Sequence, residues 1–148
     1  MLFYARRYDE SLEQYQKVIE MAPNYGAFYS ELLCLYEQLG MVDEWIAVSE
    51  KLNRGGPDFN EAHLKHDINA YWRIRVKENP SIQTWTEFYQ RAEAWARLGE
   101  SDEALAMLDK AYEVRDHQMA QLKVNPAFDS LRSDPRFQTL LQKMNFIP

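Results

Sequence analysis

The apolar residues of the first fifty positions recur at helical spacing. Tyr8, Leu12, Tyr15, Val18 and Ile19 fall at i, i+4, i+7, i+10 and i+11, one stripe of an amphipathic helix over Tyr8 to Met21. Pro23-Asn24 ends that helix, because the residue before a proline avoids the α region. A second helix is expected from about Tyr25 to Leu39. Its Phe28, Tyr29, Leu32, Leu33, Leu35, Tyr36 and Leu39 cover more than one face, so it expects neighbours on two sides. Gly40 stands where a helix end needs a residue that can turn left-handed. A third helix, about Val42 to Asn53, carries Trp45, Ile46, Val48 and Leu52.

Gly55-Gly56-Pro57 is the clearest break in the chain. Asp58 with Glu61 three residues on forms a capping box, opening a helix to about Lys77 with Leu64, Ile68, Tyr71, Trp72 and Ile74 along it. Asn79-Pro80 stops that helix. Thr84 with Glu87 opens the next, which closes at Leu98-Gly99. Ser101 is placed to cap a helix bearing Ala104, Leu105, Leu108, Ala111 and Tyr112. The tail reads as short helices with two similar starts, Asn125-Pro126 and Asp134-Pro135, each an Asx cap before a proline at the first helical position. No alternation of strand type is found, so the fold class is all-α.

Pairs of short helices invite a search for a period. Pro23 and Pro57 are 34 apart, as are Tyr8 and Val42, Leu12 and Ile46, and Val18 and Leu52. Tyr29-x2-Leu32-Leu33-x2-Tyr36, with Pro57 closing the unit, follows the tetratricopeptide pattern with Tyr for Trp and Leu for Gly. Phe88-x2-Arg91-Ala92-x2-Trp95, then Ala104-x3-Leu108 and Ala111, matches its sizes better: the small residues fall where paired helices approach closely. The chain therefore resembles tetratricopeptide-repeat proteins. The resemblance implies an α-α superhelix, a solenoid of helix pairs, in one domain spanning 1–148. Its parts are a half repeat at 1–23, a repeat at 24–57, an irregular inserted helix at 58–84, a repeat at 85–116 and a C-terminal cap at 117–148. There are departures. Trp45 and Ser49 stand where small and aromatic residues are wanted, and Gly40 and Gly99 are 59 apart rather than 68.

From Trp95-Ala-Arg-Leu-Gly-Glu-Ser-Asp-Glu-Ala through Leu122-Lys-Val-Asn-Pro-Ala-Phe-Asp-Ser-Leu-Arg-Ser-Asp-Pro-Arg-Phe, the tail is similar to the ends of large bacterial tetratricopeptide proteins whose arrays follow a signalling domain. That similarity implies the last part of a larger regulatory protein. The halved first repeat implies an open N-terminal edge, through which a second copy could associate.

Composition narrows the functions. Eleven Gly and Pro together are too few for a many-turned β protein. Hydrophobic residues at 46% allow a core, and aromatics at 14% leave bulk for a binding surface. A net charge of −6 makes nucleic acid a poor partner. One cysteine cannot form an internal disulfide, which fits a reducing compartment or a thiol-indifferent one; the expected location is cytoplasmic. No apolar run reaches the roughly 18 residues of a membrane helix, and Leu2–Tyr4 before Arg6 and Arg7 is too short for a signal peptide.

Candidate chemistry is sparse. His63 and His66, three apart on one helix, lack a marked third ligand and read as structural or solvated. Cys34, in an apolar helix without a flanking His or basic cluster, reads as a buried, inert thiol. Asp43-Glu44 and Asp102-Glu103 sit at helix starts and complement the helix dipole. Arg73, Arg75 and Lys77 beside Trp72 read as the wet face of an amphipathic helix. With no phosphate loop, zinc signature or nucleophile elbow, the expectation is a non-enzyme without cofactor or metal; the alternative kept beside it is a small-ligand-binding or enzymatic helical domain, since aromatic-rich helical cavities can hold small molecules. The repeat resemblance assigns a concave peptide-binding groove to the first helix of each pair. Carried over, the groove residues are Ala27, Ser30, Cys34, Glu37 and Gln38, and then Thr86, Tyr89, Glu93, Ala96 and Arg97. Among these, Tyr89 would offer an amphipathic contact and Arg97 a carboxylate partner. The expected partner is a protein or peptide. The Lys and Asn pattern of the carboxylate-clamp subset is not present.

Overall fold

A computed structural model of the chain describes residues 2–23, 26–51, 67–77 and 87–145. Among the described residues every regular element is helical and there is no strand. The chain divides into two compact units, Met1–Tyr71 and Trp72–Pro148.

The first unit holds α1 (Tyr8–Met21), α2 (Gly26–Leu39) and α3 (Val42–Lys51). Helix α2 packs against both α1 and α3, which accounts for its apolar residues covering more than one face. Tyr29, Leu32, Leu33, Leu35 and Tyr36 are all buried there, with Trp45 and Ile46 from α3. Tyr29 also has polar work. Its hydroxyl donates to the carbonyl of Pro23 at 2.8 Å and accepts from Lys51 Nζ at 2.5 Å, tying the turn after α1 to the end of α3.

Helix α4 (Ile68–Lys77) carries residues of both units. Here the expectation of one helix from Asp58 is corrected. Asp67 lies outside the helix and caps it: its Oδ1 accepts from Asn69 N at 2.9 Å, so this helix begins at Ile68. Asp58 and Glu61, the Gly55-Gly56-Pro57 break, Asn79-Pro80 and Thr84 lie outside the described residues. The ring of Tyr71 meets Trp45 edge-on at 5.2 Å within the first unit.

The second unit holds α5 (Glu87–Arg97), α6 (Ser101–Glu113), two short 3-10 helices (His117–Gln121 and Pro126–Leu131) and α7 (Pro135–Lys143). Ala92, Ala104 and Ala111 are each 0% exposed, and among the described helices α5 and α6 pack most extensively. Small residues at these places let the two backbones come close. The tail completes the core: Phe128 is 0% exposed, sits edge-on to Tyr89 at 5.4 Å and lies 6.2 Å from Phe137. Both Asx-Pro starts form as expected. Asn125 Oδ1 accepts from Ala127 N at 3.0 Å and Asp134 Oδ1 from Arg136 N at 2.8 Å. The cap expected of Ser101 does not form. Ser101 is the first helical residue, and Glu100 occupies the cap position without a side-chain bond.

The joints α2–α3 and α5–α6 repeat one another at 59 residues. Gly40 has φ +69 and Gly99 has φ +81, a conformation that costs glycine little. Met41 N donates to Tyr36 O at 2.8 Å, and Glu100 N to Trp95 O at 3.0 Å. Gly40 N donates to Glu37 O at 3.2 Å, and Gly99 N to Ala96 O at 3.1 Å. Each joint is thus a complete glycine-terminated helix cap followed by an Asp-Glu first turn.

Candidate functional site

The offset of 59 makes α2 and α5 equivalent helices, and their assigned groove residues correspond one to one. The two units treat this face differently.

In the second unit the face is covered by the chain itself. Tyr89 is 1% exposed and Ala96 is buried, so both serve the core; the expectation that Tyr89 is offered to a partner is corrected. Its phenol is instead satisfied from within, because Asn125 Nδ2 donates to Tyr89 Oη at 3.0 Å. The same amide donates to Glu93 Oε1. Asn125 is therefore both the cap of the following 3-10 helix and a clasp on α5. An aspartate could cap equally well, but would set a carboxylate against Glu93. Glu93 faces its own helix too: Arg97 Nη1 is 3.9 Å from Glu93 Oε2. Burial pushes the Glu93 carboxyl above its ordinary value, against the opposing pull of Arg97 and the Asn125 bond. Arg97 also lies over the ring of Trp72, with 4.9 Å to the centroid. Thr86 lies outside the described residues. Nothing local in the sequence marks Tyr89 as covered, since the residue that covers it lies 36 positions further on.

In the first unit the face is open. Cys34 is exposed, correcting its reading as a buried thiol, and Gln38 is exposed with Glu37 half-buried. Ala27 and Ser30 lie in α2, with their side chains outside what the structure describes. Sequence reasoning missed Glu31. It precedes Cys34 by three and Gln38 by seven, so the three exposed residues form one helical stripe. Glu31 Oε2 accepts a hydrogen bond from the Tyr15 hydroxyl of α1. Burial, then that bond and the charge of Glu31, hold the Tyr15 phenol well above its usual range. Tyr4 and Cys34 lie close enough to add to the effect. Before α1, the Phe3 ring meets Tyr4 at 5.3 Å and Tyr8 at 5.8 Å. Phe3, Tyr4, Tyr8 and Tyr15 are all half-buried.

Charge divides the same way. Met1–Tyr71 contains twelve acidic and six basic residues, and Trp72–Pro148 eleven of each, so the whole net charge of −6 belongs to the first unit.

The remaining sequence candidates find structural places. Asp43 and Glu44, and Asp102 and Glu103, occupy first turns of α3 and α6, where acids complement the helix dipole. His63 and His66 lie outside the described residues, among which no cluster of His, Cys, Asp or Glu could hold a metal ion. Arg73 is exposed; the side chains of Arg75 and Lys77 lie outside what is described. A cleft of about 360 Å³ runs between α6 and α7, but Arg136 on its rim is already shared by Asp102 and Asp134, each at 2.7 Å. No helix among the described residues is long and apolar enough to cross a membrane. No protein-family model, curated protein or solved structure matches the sequence.

Proposed function

We propose that the chain is a non-catalytic protein-interaction module of tetratricopeptide type, a solenoid of helix pairs that binds a peptide or protein segment on the exposed face of α2. The observation that carries this reading is the contrast between two equivalent faces. On α5 the face is filled by the chain's own tail, with Asn125 and Phe128 supplying a polar clasp and an aromatic anchor. On α2 the equivalent stripe of Cys34 and Gln38, with Glu31 beside it, is exposed. A helix face that takes up a turn-forming segment at one place is suited to doing so at the other, with the segment supplied from outside. The repeated glycine joints support the repeat reading, and the module would serve as the C-terminal part of a larger bacterial regulatory protein in the cytoplasm.

Cys34 is the chain's single cysteine, which makes the test direct. The full chain is screened against a displayed library of random dodecapeptides. Enriched peptides are then measured against protein labelled at Cys34 with a bulky maleimide. The reading expects enrichment, and binding that the label abolishes. Binding untouched by the label would remove α2 as the site, and no enrichment would remove the interaction reading altogether. Replacing Tyr89, by contrast, would test folding rather than recognition.

A further inference from the structure

Three features of the first unit meet at the α1–α2 face. One is Glu31, an exposed carboxylate whose Oε2 is engaged by a phenol rather than by a cation. That bond holds the carboxylate against Tyr15, on a residue that is itself exposed. Arg7 and Lys17, the cations at the start of α1 and within it, are committed elsewhere: Arg7 Nε donates to Glu10 at 2.6 Å and Lys17 Nζ to Glu13 at 2.7 Å. The second feature is the aromatic cluster, with Tyr4 and Cys34 each near the Tyr15 phenol, and Phe3 bridging Tyr4 and Tyr8. Aromatic rings attract a cation over their faces, and a neighbouring carboxylate adds a directed partner. The third feature is the field. The whole acidic surplus of the chain lies in this unit, so a cationic segment is drawn toward it and an anionic one is repelled.

We infer that the α1–α2 face recognises a basic peptide segment, with a lysine or arginine side chain seated on the Glu31 carboxylate against the rings of Tyr15 and Tyr4. The inference rests on the interaction reading above and adds the chemistry of the partner. Phosphate-bearing and acidic partners are disfavoured by the same carboxylate and field. Cys34 and Gln38, further along the stripe, would contact the segment beyond the basic residue.

The same dodecapeptide library, screened on the full chain, tests the idea separately from the interaction reading. Enriched peptides should be rich in Lys or Arg. Glu31→Gln, which keeps both rings, should weaken them by about fivefold, the scale of one exposed ion pair. Glu31→Lys should weaken them further and shift enrichment toward acidic peptides. Tyr15→Phe, which removes the hydroxyl but keeps the ring, should have a smaller effect than Glu31→Gln. Circular dichroism confirms that each variant keeps its helices. Enriched peptides without basic residues, or affinities indifferent to Glu31→Lys in a folded protein, would overturn this inference while leaving the interaction reading in place. Failure to enrich any peptide would overturn both.

Discussion

At position 34 of the first unit a thiol is exposed; at position 93, its equivalent 59 residues on, a carboxylate is covered by Asn125. The helices that carry them end in the same glycine joint, with corresponding hydrogen bonds. The difference arises beyond the helix pair. After α6 the chain makes two 3-10 helices and α7, and it returns Asn125 and Phe128 to α5. In the second unit this helix face is thereby part of the core. The charge follows the same division, neutral where the face is closed and acidic where it is open. Corresponding helix faces thus differ in exposure, and local sequence does not reveal which is which.

The comparison can be broken most forcefully at the anchor. Phe128→Ala removes a fully buried ring that touches Tyr89, and should cost about 3–5 kcal/mol in urea unfolding of the full chain. A loss below about 1 kcal/mol would mean that the tail is not integral to the second unit. Next in size is the clasp. Asn125→Ala removes a helix cap, a buried bond to Tyr89 and a part-buried bond to Glu93, and should cost about 2–3 kcal/mol by the same measurement. Asn125→Asp keeps the cap but faces Glu93, so its deficit should be larger at neutral pH than at acid pH.

The joints sharpen the comparison from the other side. Gly40→Ala and Gly99→Ala should each cost roughly 1 kcal/mol, because a Cβ would meet nothing within 4 Å at either place and only the left-handed backbone is strained. Similar costs support the equivalence of the joints; strongly unequal ones would count against it.

The smallest expected effect is at Glu93. Its carboxyl is raised in the folded state, so the unfolded chain ionises first as pH rises, and folding loses stability across the interval between the two values. The residue's unfavourable contribution is therefore fully present above the folded value and vanishes below the unfolded one. Glu93→Gln keeps an acceptor for Asn125 and should raise stability by up to about 1 kcal/mol at neutral pH, with no gain in acid. Thermal melts across pH check the sign.

Much of the architecture was legible in residue patterns. Pro23, Gly40 and Gly99 fall at helix ends, and the two Asx-Pro pairs start helices, because these residues constrain the backbone locally. The close packing at Ala92, Ala104 and Ala111 was legible from size alone. Asp67 was missed as a cap because the apolar pattern runs through it. The site was less legible. Tyr89 and Cys34 exchanged their expected burial, since burial depends on contacts beyond the local sequence: Asn125, far along the chain, bonds the phenol of Tyr89, while α2 presents Cys34 at its surface. Glu31 was overlooked because its significance lies in a phenol of the neighbouring helix.

The difference in covering between the two faces can be measured through thiol reactivity. Cys34 in the natural chain is compared with a thiol placed by Glu93→Cys in a Cys34→Ser background, both reacting with a small disulfide reagent under native conditions and in urea. Cys34 should react at nearly its unfolded rate, while the thiol at position 93 should be slowed about a hundredfold or more until the second unit unfolds. Comparable native rates at the two positions would contradict the claim that the tail closes one face and leaves the other open.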